Sequence, residues 1–317
     1  MISVVIPVKN GASTLARCLE GLMKQTIYDQ TEIIIIDSGS KDGTLEIIEK
    51  FPVKLIRIEP EKFNHGLTRN LGIQHSIGKL IYFTVQDAYL EEANVLERFV
   101  NHFTNERIDG VCGNQGIPHD QDKNPYCWYR PMEAPSVKTY NFNSAFEFDS
   151  LTPQQKAEVC SWDDVHAMYR KSALLKIPFI KTDYAEDMYW ANDALRNGFT
   201  LVKDTSLITW HYHHRSYQYE LKLMVTNMYH KYKLFSYETH FPGMLRSIAS
   251  ISKRLLTVSG LTLKRRIYWL IHNLRILQAD KKAISEFRMA LNSGENGLEK
   301  FYYKYFSSSL QGKLKSD

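Results

Sequence analysis

Two aspartates, Asp37 and Asp87, stand just after apolar runs, a spacing that lets a pair of carboxylates do more than cap helices. One carboxylate can accept hydrogen bonds from a base or ribose. Another can hold a hard cation that neutralises a diphosphate, since Mg²⁺ is commonly held by one or two carboxylates plus phosphate oxygens. Arg69, with its fork of fixed donors, can stabilise phosphate charge that grows as a leaving group departs. On that reading Arg69→Ala cuts turnover without unfolding the protein. His211 and His213 alternate, so on a strand they would share a face and could ligate a metal. Each has a plainer role available. An aspartate after a strand caps the next turn, Asn64, His65 and Arg69 can start a helix and offer a surface cation, and Gly66 and Gly72 can permit tight packing.

The elements that must position these residues follow from periodicity. Residues 2–8 read as a first strand, residues 32–37 as a strand too apolar to be half-exposed, and residues 53–58 and 80–85 as two more. Between them lie helical patterns: one opening at Thr14 with Leu15, Cys18, Leu19 and Leu22 on one face, then residues 44–51 and 64–76, with 94–105 after the fourth strand. This alternation predicts a mostly parallel sheet covered by helices, and such sheets bind ligands at the carboxyl ends of their strands. Residues 8–10, 37–40 and 86–88 stand at those ends. Neither a GxxxxGK[ST] nor a GxGxxG loop follows the first strand, so the P-loop and dehydrogenase readings lose their main support. Residues 116–156 lack periodicity and read as a long loop region with one short helix, in which Tyr126, Trp128, Tyr129 and Arg130 could stack on a ligand or form a satellite core. Residues 158–162 read as a strand.

A net charge of +5 over 317 residues is too small to imply nucleic-acid binding, so no nucleic-acid partner is expected. Four scattered cysteines without a CxxC pair suggest neither a zinc site nor a disulfide framework, and a reducing, cytoplasmic setting fits best. The start of the chain reads as a strand rather than a signal peptide, and no run of about 18 apolar residues offers a membrane span. From Ser216 the pattern turns helical and basic, with Lys253, Arg254, Lys264, Arg265, Arg266, Arg275, Lys281 and Lys282 beside Leu255, Leu256, Tyr268, Trp269, Leu270 and Ile271. Such a helix pair could lie peripherally in anionic lipid headgroups, or pack on its own core or a partner.

Three segments taken together carry a family resemblance: Val-Ile-Pro-Val-Lys-Asn at 5–10, Ile-Ile-Asp-Ser-Gly-Ser-Lys-Asp-Gly-Thr at 35–44, and Gln-Asp-Ala at 86–88. They resemble the inverting family 2 glycosyltransferases of the GT-A fold. Residues 63–72 followed by 84–88 look like the bacterial rhamnosyltransferase branch, where a QDA-type sequence replaces the usual DxD. The resemblance covers residues 1–215. It implies an α/β GT-A domain with a nucleotide half over 1–115 and an acceptor half over 116–215, followed by a helical appendage over 216–317. Pro7 and Lys9 would flank the nucleotide base, and Asp37 would bind base or ribose. Asp87 would reach the diphosphate through Mg²⁺ or Mn²⁺, and Arg69 would face the diphosphate or base. Gln86 stands where a DxD offers its first carboxylate. Asp164 falls in the segment that lines the donor-sugar and acceptor pockets. Glu186-Asp187 matches the ED motif, with Asp187 as general base, and His211 and His213 match an HxH-like element near the diphosphate.

The implied reaction is one in-line displacement that inverts the anomeric configuration. The implied donor is dTDP-β-L-rhamnose, with a UDP-hexose as the alternative, and the acceptor is a growing surface polysaccharide or lipid-linked glycan at the cytoplasmic membrane face. Two other classes compete: a non-catalytic nucleotide-sugar-binding scaffold, against which Glu186-Asp187 argues, and a nucleotidyltransferase, whose Gly-rich basic loop is absent after the first strand.

Overall fold

The computed structural model describes residues 1–127 and 134–306, which form two compact units. One comprises the described residues of 1–117 and 134–212, the other those of 118–127 and 213–306.

The first unit opens with β1 (Ile2–Val8), buried at every position, as its uncharged sequence requires of a strand covered on both faces. α1 (Leu15–Met23) buries Leu15, Cys18, Leu19 and Leu22 against it, and β2 (Thr31–Asp37) pairs alongside in parallel, placing Val8 opposite Asp37. α2 (Thr44–Ile48) stops short of residue 51, because residue 52 is a proline and the residue before a proline avoids helical geometry. β3 (Lys54–Arg57), α3 (His65–His75), β4 (Leu80–Phe83) and α4 (Val95–His102) follow in the expected order.

Beyond residue 105 the structure departs from expectation. β5 (Ile108–Gly116) is a strand that no sequence pattern announced, and the stretch over 116–156, read as loop with one short helix, holds the strand β6 (Val137–Tyr140), the helix α5 (Ala145–Asp149) and most of a second helix, α6 (Pro153–Val159). Residues 158–162 are not a strand. Thr152 and Gln155 form a reciprocal capping box with Pro153 in the first turn, and this start signal carries the helix through Val159. The strand comes later, as β7 (Ala167–Arg170), before α7 (Lys171–Lys176), α8 (Glu186–Arg196) and β8 (Thr200–Trp210).

Among the described residues the sheet has eight strands in the order β3-β2-β1-β4-β7-β5-β8-β6. β7 runs antiparallel to both β4 and β5, so β5 runs parallel to β4, and β8 is parallel to β5. The carboxyl ends of β1, β2, β4, β5 and β8 therefore share one edge of the sheet. The residues just before β7 come to that edge too, because β7 points the other way.

In the second unit, α9 (Tyr217–Phe235), α11 (Leu263–Asn292) and α12 (Gly294–Tyr305) close around Leu221, Val225, Tyr229, Ala283, Phe287 and Phe301, while α10 (Met244–Thr257) packs Ile251 and Leu255 on Trp269 of α11. The amides of Asn124 and Asn273 bond to each other at 2.8 and 3.1 Å, tying the segment after Pro118 to α11. Of the four loop residues that could stack on a ligand or form a satellite core, Tyr126 is exposed, and Trp128, Tyr129 and Arg130 lie outside the described residues. So do residues 307–317.

Candidate active site

Two loops at the carboxyl edge are laced by their own polar side chains. Asn10 takes a left-handed backbone (φ 50°), which asparagine tolerates better than most residues, and its side chain accepts from the Lys41 amide at 2.9 Å. Ser40, Thr44 and Asp42 accept in turn from the amides of Asn10, Gly11 and Ala12 at 2.8, 2.8 and 3.1 Å. The buried Asp37 carboxylate accepts from the amides of Gly39 at 3.1 Å and Ser40 at 3.2 Å, and from the Ser40 hydroxyl. These bonds let Asp37 hold its own turn. Pro7 is buried inside β1 opposite Ile36, so Lys9, partly exposed, is the first residue of its segment open to a ligand.

Gln86 explains why this chain has no acid there. Its Oε1 accepts from Lys9 N at 2.8 Å and its Nε2 donates to Lys9 O at 3.0 Å, a two-way bond that a carboxylate, which only accepts, could not make. Gln86 is a strut under the first loop.

α3 delivers Arg69. Asn64 caps the helix by accepting from Leu67 N at 3.2 Å, and Asn70 bonds both backbone groups of Phe179 at 2.8 and 3.1 Å. Rather than a cation open to phosphate, Arg69 is 4% exposed, with Nε 3.2 Å from Asp164 Oδ2 and Nη1 donating to Glu186. Tyr169 donates its hydroxyl to Asp164, and Trp162 Nε1 donates to that hydroxyl at 2.5 Å. α8 is entered through Ala185, which sits in the left-handed region (φ 61°), a strained turn for a residue with a Cβ.

Asp187 completes the cluster and differs from it. Its Oδ2 accepts from Asp164 N at 3.3 Å and its Oδ1 from Met188 N at 2.7 Å. Asp164 and Glu186 are buried at 1% and 6% exposure, whereas Asp187 is partly exposed. Burial, and then the charges of Glu186, Asp164 and Asp163, raise the Asp187 carboxyl well above the usual range, against the pull of Arg69. Burial likewise pushes Asp164 up to about 7, opposed by Arg69. The arrangement can hold a proton-accepting carboxylate at the edge with its orientation fixed from behind.

Farther along the edge, Tyr89 and Trp210 exchange backbone bonds at 2.9 and 3.0 Å, bringing the loop after β4 to the end of β8. Asp87 Oδ1 and His211 Nε2 consequently lie 3.4 Å apart. A carboxylate oxygen and an imidazole nitrogen are a donor set that suits Mn²⁺ and accommodates Mg²⁺. β8 ends at Trp210, so the alternation of His211 and His213 on a strand does not apply, and His213 is the first residue of the second unit. Gln115 and Asp163, which contact His211 directly and through the amide, carried no signal in the sequence beyond the adjacent acids 163 and 164.

A mostly parallel sheet of this strand order, with its polar groups gathered at one edge, is a GT-A-type glycosyltransferase fold. It superposes on a mannosyltransferase from Pyrobaculum calidifontis, solved with GDP-Man and Mn²⁺, at TM-score 0.55 and 16% identity, covering 98% of this chain and 87% of that one. It also superposes on residues 1–349 of S. aureus TarS, solved with UDP-GlcNAc, at TM-score 0.52 and 16% identity, covering 91% of each chain. The chain belongs to glycosyl transferase family 2, whose family model matches residues 3–177. Among curated relatives, it is 29% identical over 218 residues to the O-antigen chain rhamnosyltransferase RfbN of Salmonella typhimurium, covering 67% of this chain and 66% of the relative. It is 27% identical over 206 residues to WbaN of Salmonella anatum, also an O-antigen chain rhamnosyltransferase, covering 63% of this chain and 62% of the relative. The chain therefore covers just under two thirds of each relative's own length.

Proposed function

We propose that this glycosyltransferase moves L-rhamnose from dTDP-β-L-rhamnose to a hydroxyl of a growing surface polysaccharide or lipid-linked glycan, with inversion. The observation that carries the reading is Asp187: a carboxylate raised above its ordinary range, braced by buried groups and left partly exposed at the ligand edge of the sheet. Asp187 takes the acceptor hydroxyl's proton as that oxygen bonds the anomeric carbon, while the bond from that carbon to the diphosphate breaks and its electron pair leaves with the nucleotide. Arg69 holds Asp164 and Glu186, and through them the base, in register. Lys9 is the residue offered to the nucleotide end. Asp87 and His211 would hold Mg²⁺ or Mn²⁺, which when bound neutralises diphosphate charge.

The rhamnosyltransferases RfbN and WbaN support the sugar; UDP-GlcNAc and GDP-Man in the fold neighbours keep other donors as outcomes of the test. Among the described residues no helix is long and apolar enough to cross a membrane. An acid-free run over residues 239–279 that exposes Leu256, Leu263, Ile267 and Ile271 supports peripheral contact with anionic lipid, where a lipid-linked acceptor would reside.

A thermal-shift panel of dTDP, UDP, GDP and their sugars, with and without Mn²⁺ or Mg²⁺, tests the donor, because a ligand that binds only the folded state raises Tm. Selective, metal-dependent stabilisation by dTDP or dTDP-rhamnose is expected. A preference for UDP replaces the sugar donor, and no response to any nucleotide returns the non-catalytic scaffold.

A further inference from the structure

Gln115, the penultimate residue of β5, stands between two groups whose chemistry leaves it one orientation. Its Nε2 donates to the Asp163 carboxylate, and its Oε1 lies 2.8 Å from His211 Nδ1. The two ends of a glutamine amide resemble each other in shape and differ in hydrogen bonding, so neighbours decide which way it points. A carboxylate only accepts. Asp163, anchored in turn by the Val165 amide at 2.9 Å, therefore claims the NH₂ group and turns the carbonyl oxygen to His211. A carbonyl oxygen only accepts as well, so the imidazole nitrogen facing it must carry the hydrogen. In the neutral ring the lone pair then belongs to Nε2, the nitrogen 3.4 Å from Asp87 Oδ1.

We propose that Gln115, oriented by Asp163, is a positioning residue that fixes His211 as the Nδ1–H tautomer and turns its Nε2 lone pair to the side of Asp87, making that pair a divalent-cation site. The inference rests on the metal role given above to Asp87 and His211 and adds the device that prepares one of them. The ring is also held by its backbone, since His211 N donates to Gly116 O at 2.9 Å, next to Gln115 in the chain. The device also links two parts of the site: Asp163 precedes Asp164, whose amide holds Asp187, so one turn supports both the histidine and the base.

The test reads tautomer and metal affinity separately, on the full-length protein. Long-range ¹H–¹⁵N spectra of histidine-labelled protein, with His211 assigned by its loss in His211→Asn, are expected to show a protonated Nδ1 and an unprotonated Nε2. Gln115→Leu removes the acceptor, and Asp163→Asn lets the amide turn over; both should shift His211 toward the other tautomer. Mn²⁺ affinity, followed by the electron paramagnetic resonance of the free ion, should fall about 10–100-fold in Gln115→Leu, the usual cost of losing a partner behind a metal-bound histidine. An Nε2–H ring in the wild type overturns the proposal, as does wild-type Mn²⁺ affinity in a folded Gln115→Leu protein, or a wild type that binds no Mn²⁺. Metal-free dTDP binding, measured by calorimetry alongside, reports on the donor-binding reading independently of these outcomes.

Discussion

Asp187 and Glu186 are neighbours in sequence with opposite environments, and that contrast divides their work. Glu186 is buried on the Arg69 guanidinium, whereas Asp187 is held by two backbone amides and partly exposed. Asp187→Asn keeps the shape and removes the proposed base, so kcat should fall by about 10²–10⁴ while nucleotide binding and Tm hold, measured by donor turnover and calorimetry. Because the Asp187 carboxyl is raised, the base is ionised only above the ordinary carboxylate range, and the acid limb of kcat/KM against pH should be displaced upward accordingly. With Asp164 and Glu186 buried on Arg69, Arg69→Ala leaves two carboxylates without their counter-charge, and urea unfolding should register a loss of about 3–5 kcal/mol beside any loss of turnover. Asp164 also carries a pH signature. Its carboxyl sits near 7 when folded and near about 4 when unfolded, so the folded state binds the proton more tightly. Its stabilising contribution is full below about pH 4 and is lost as pH rises through 7. Tm measured from pH 5 to 8 should include a decline that Asp164→Asn flattens.

α3 positions the site because it comes unusually close to what it packs on. A Cβ on Gly72 would fall 2.3 Å from Val5 Cγ1, and one on Gly66 2.4 Å from the Ile180 carbonyl oxygen. Gly72→Ala must push α3 off β1 and should cost about 1–3 kcal/mol in denaturant melts. Gly66→Ala should instead displace the segment leading to α8, lowering turnover more than stability; equal losses in both would remove α3 from the positioning of Asp187. The elements of the first hundred residues could be read in advance because their strands are continuous apolar runs and α3 carries its own cap. β5 could not, since Gly110, Gly113 and Gly116 give it poor strand propensity, and Gly113 is required where a Cβ would meet His166 Cδ2 at 2.2 Å. In residues 158–162 an apolar run was outweighed by the capping signals of α6. At the site, residue types marked Asp187 and Asp87, but the proximity of Asp87 to His211 depends on the Tyr89–Trp210 bridge, a pairing across 121 positions that no local pattern encodes. Asp37 shows the converse limit: a carboxylate after a strand suits ligand and turn alike, and only the structure shows its bonds to Gly39 and Ser40.

At the scale of the whole chain, function requires a water-soluble donor and an acceptor that the proposed reading places at a lipid surface. On α11, Leu263, Ile267 and Ile271 recur at four-residue spacing with 73%, 51% and 50% exposure, while Trp269 on another face is buried against α10. Sedimentation with vesicles containing anionic lipid should pull the protein down at low salt and release it as salt screens the charges, and Ile267→Asp with Ile271→Asp should abolish binding without lowering Tm. Vesicle binding that ignores both salt and these substitutions would leave the stripe without that role. The most direct measurement of the central claim is transfer from isotope-labelled dTDP-β-L-rhamnose to a lipid-linked glycan extract, with dTDP release and the anomeric configuration of the product read by NMR for wild type and Asp187→Asn. The expected result is an α-L-rhamnoside formed with stoichiometric dTDP by the wild type alone, the variant still binding dTDP. A β-linked product, or an Asp187→Asn protein that turns over as fast as wild type, would contradict it.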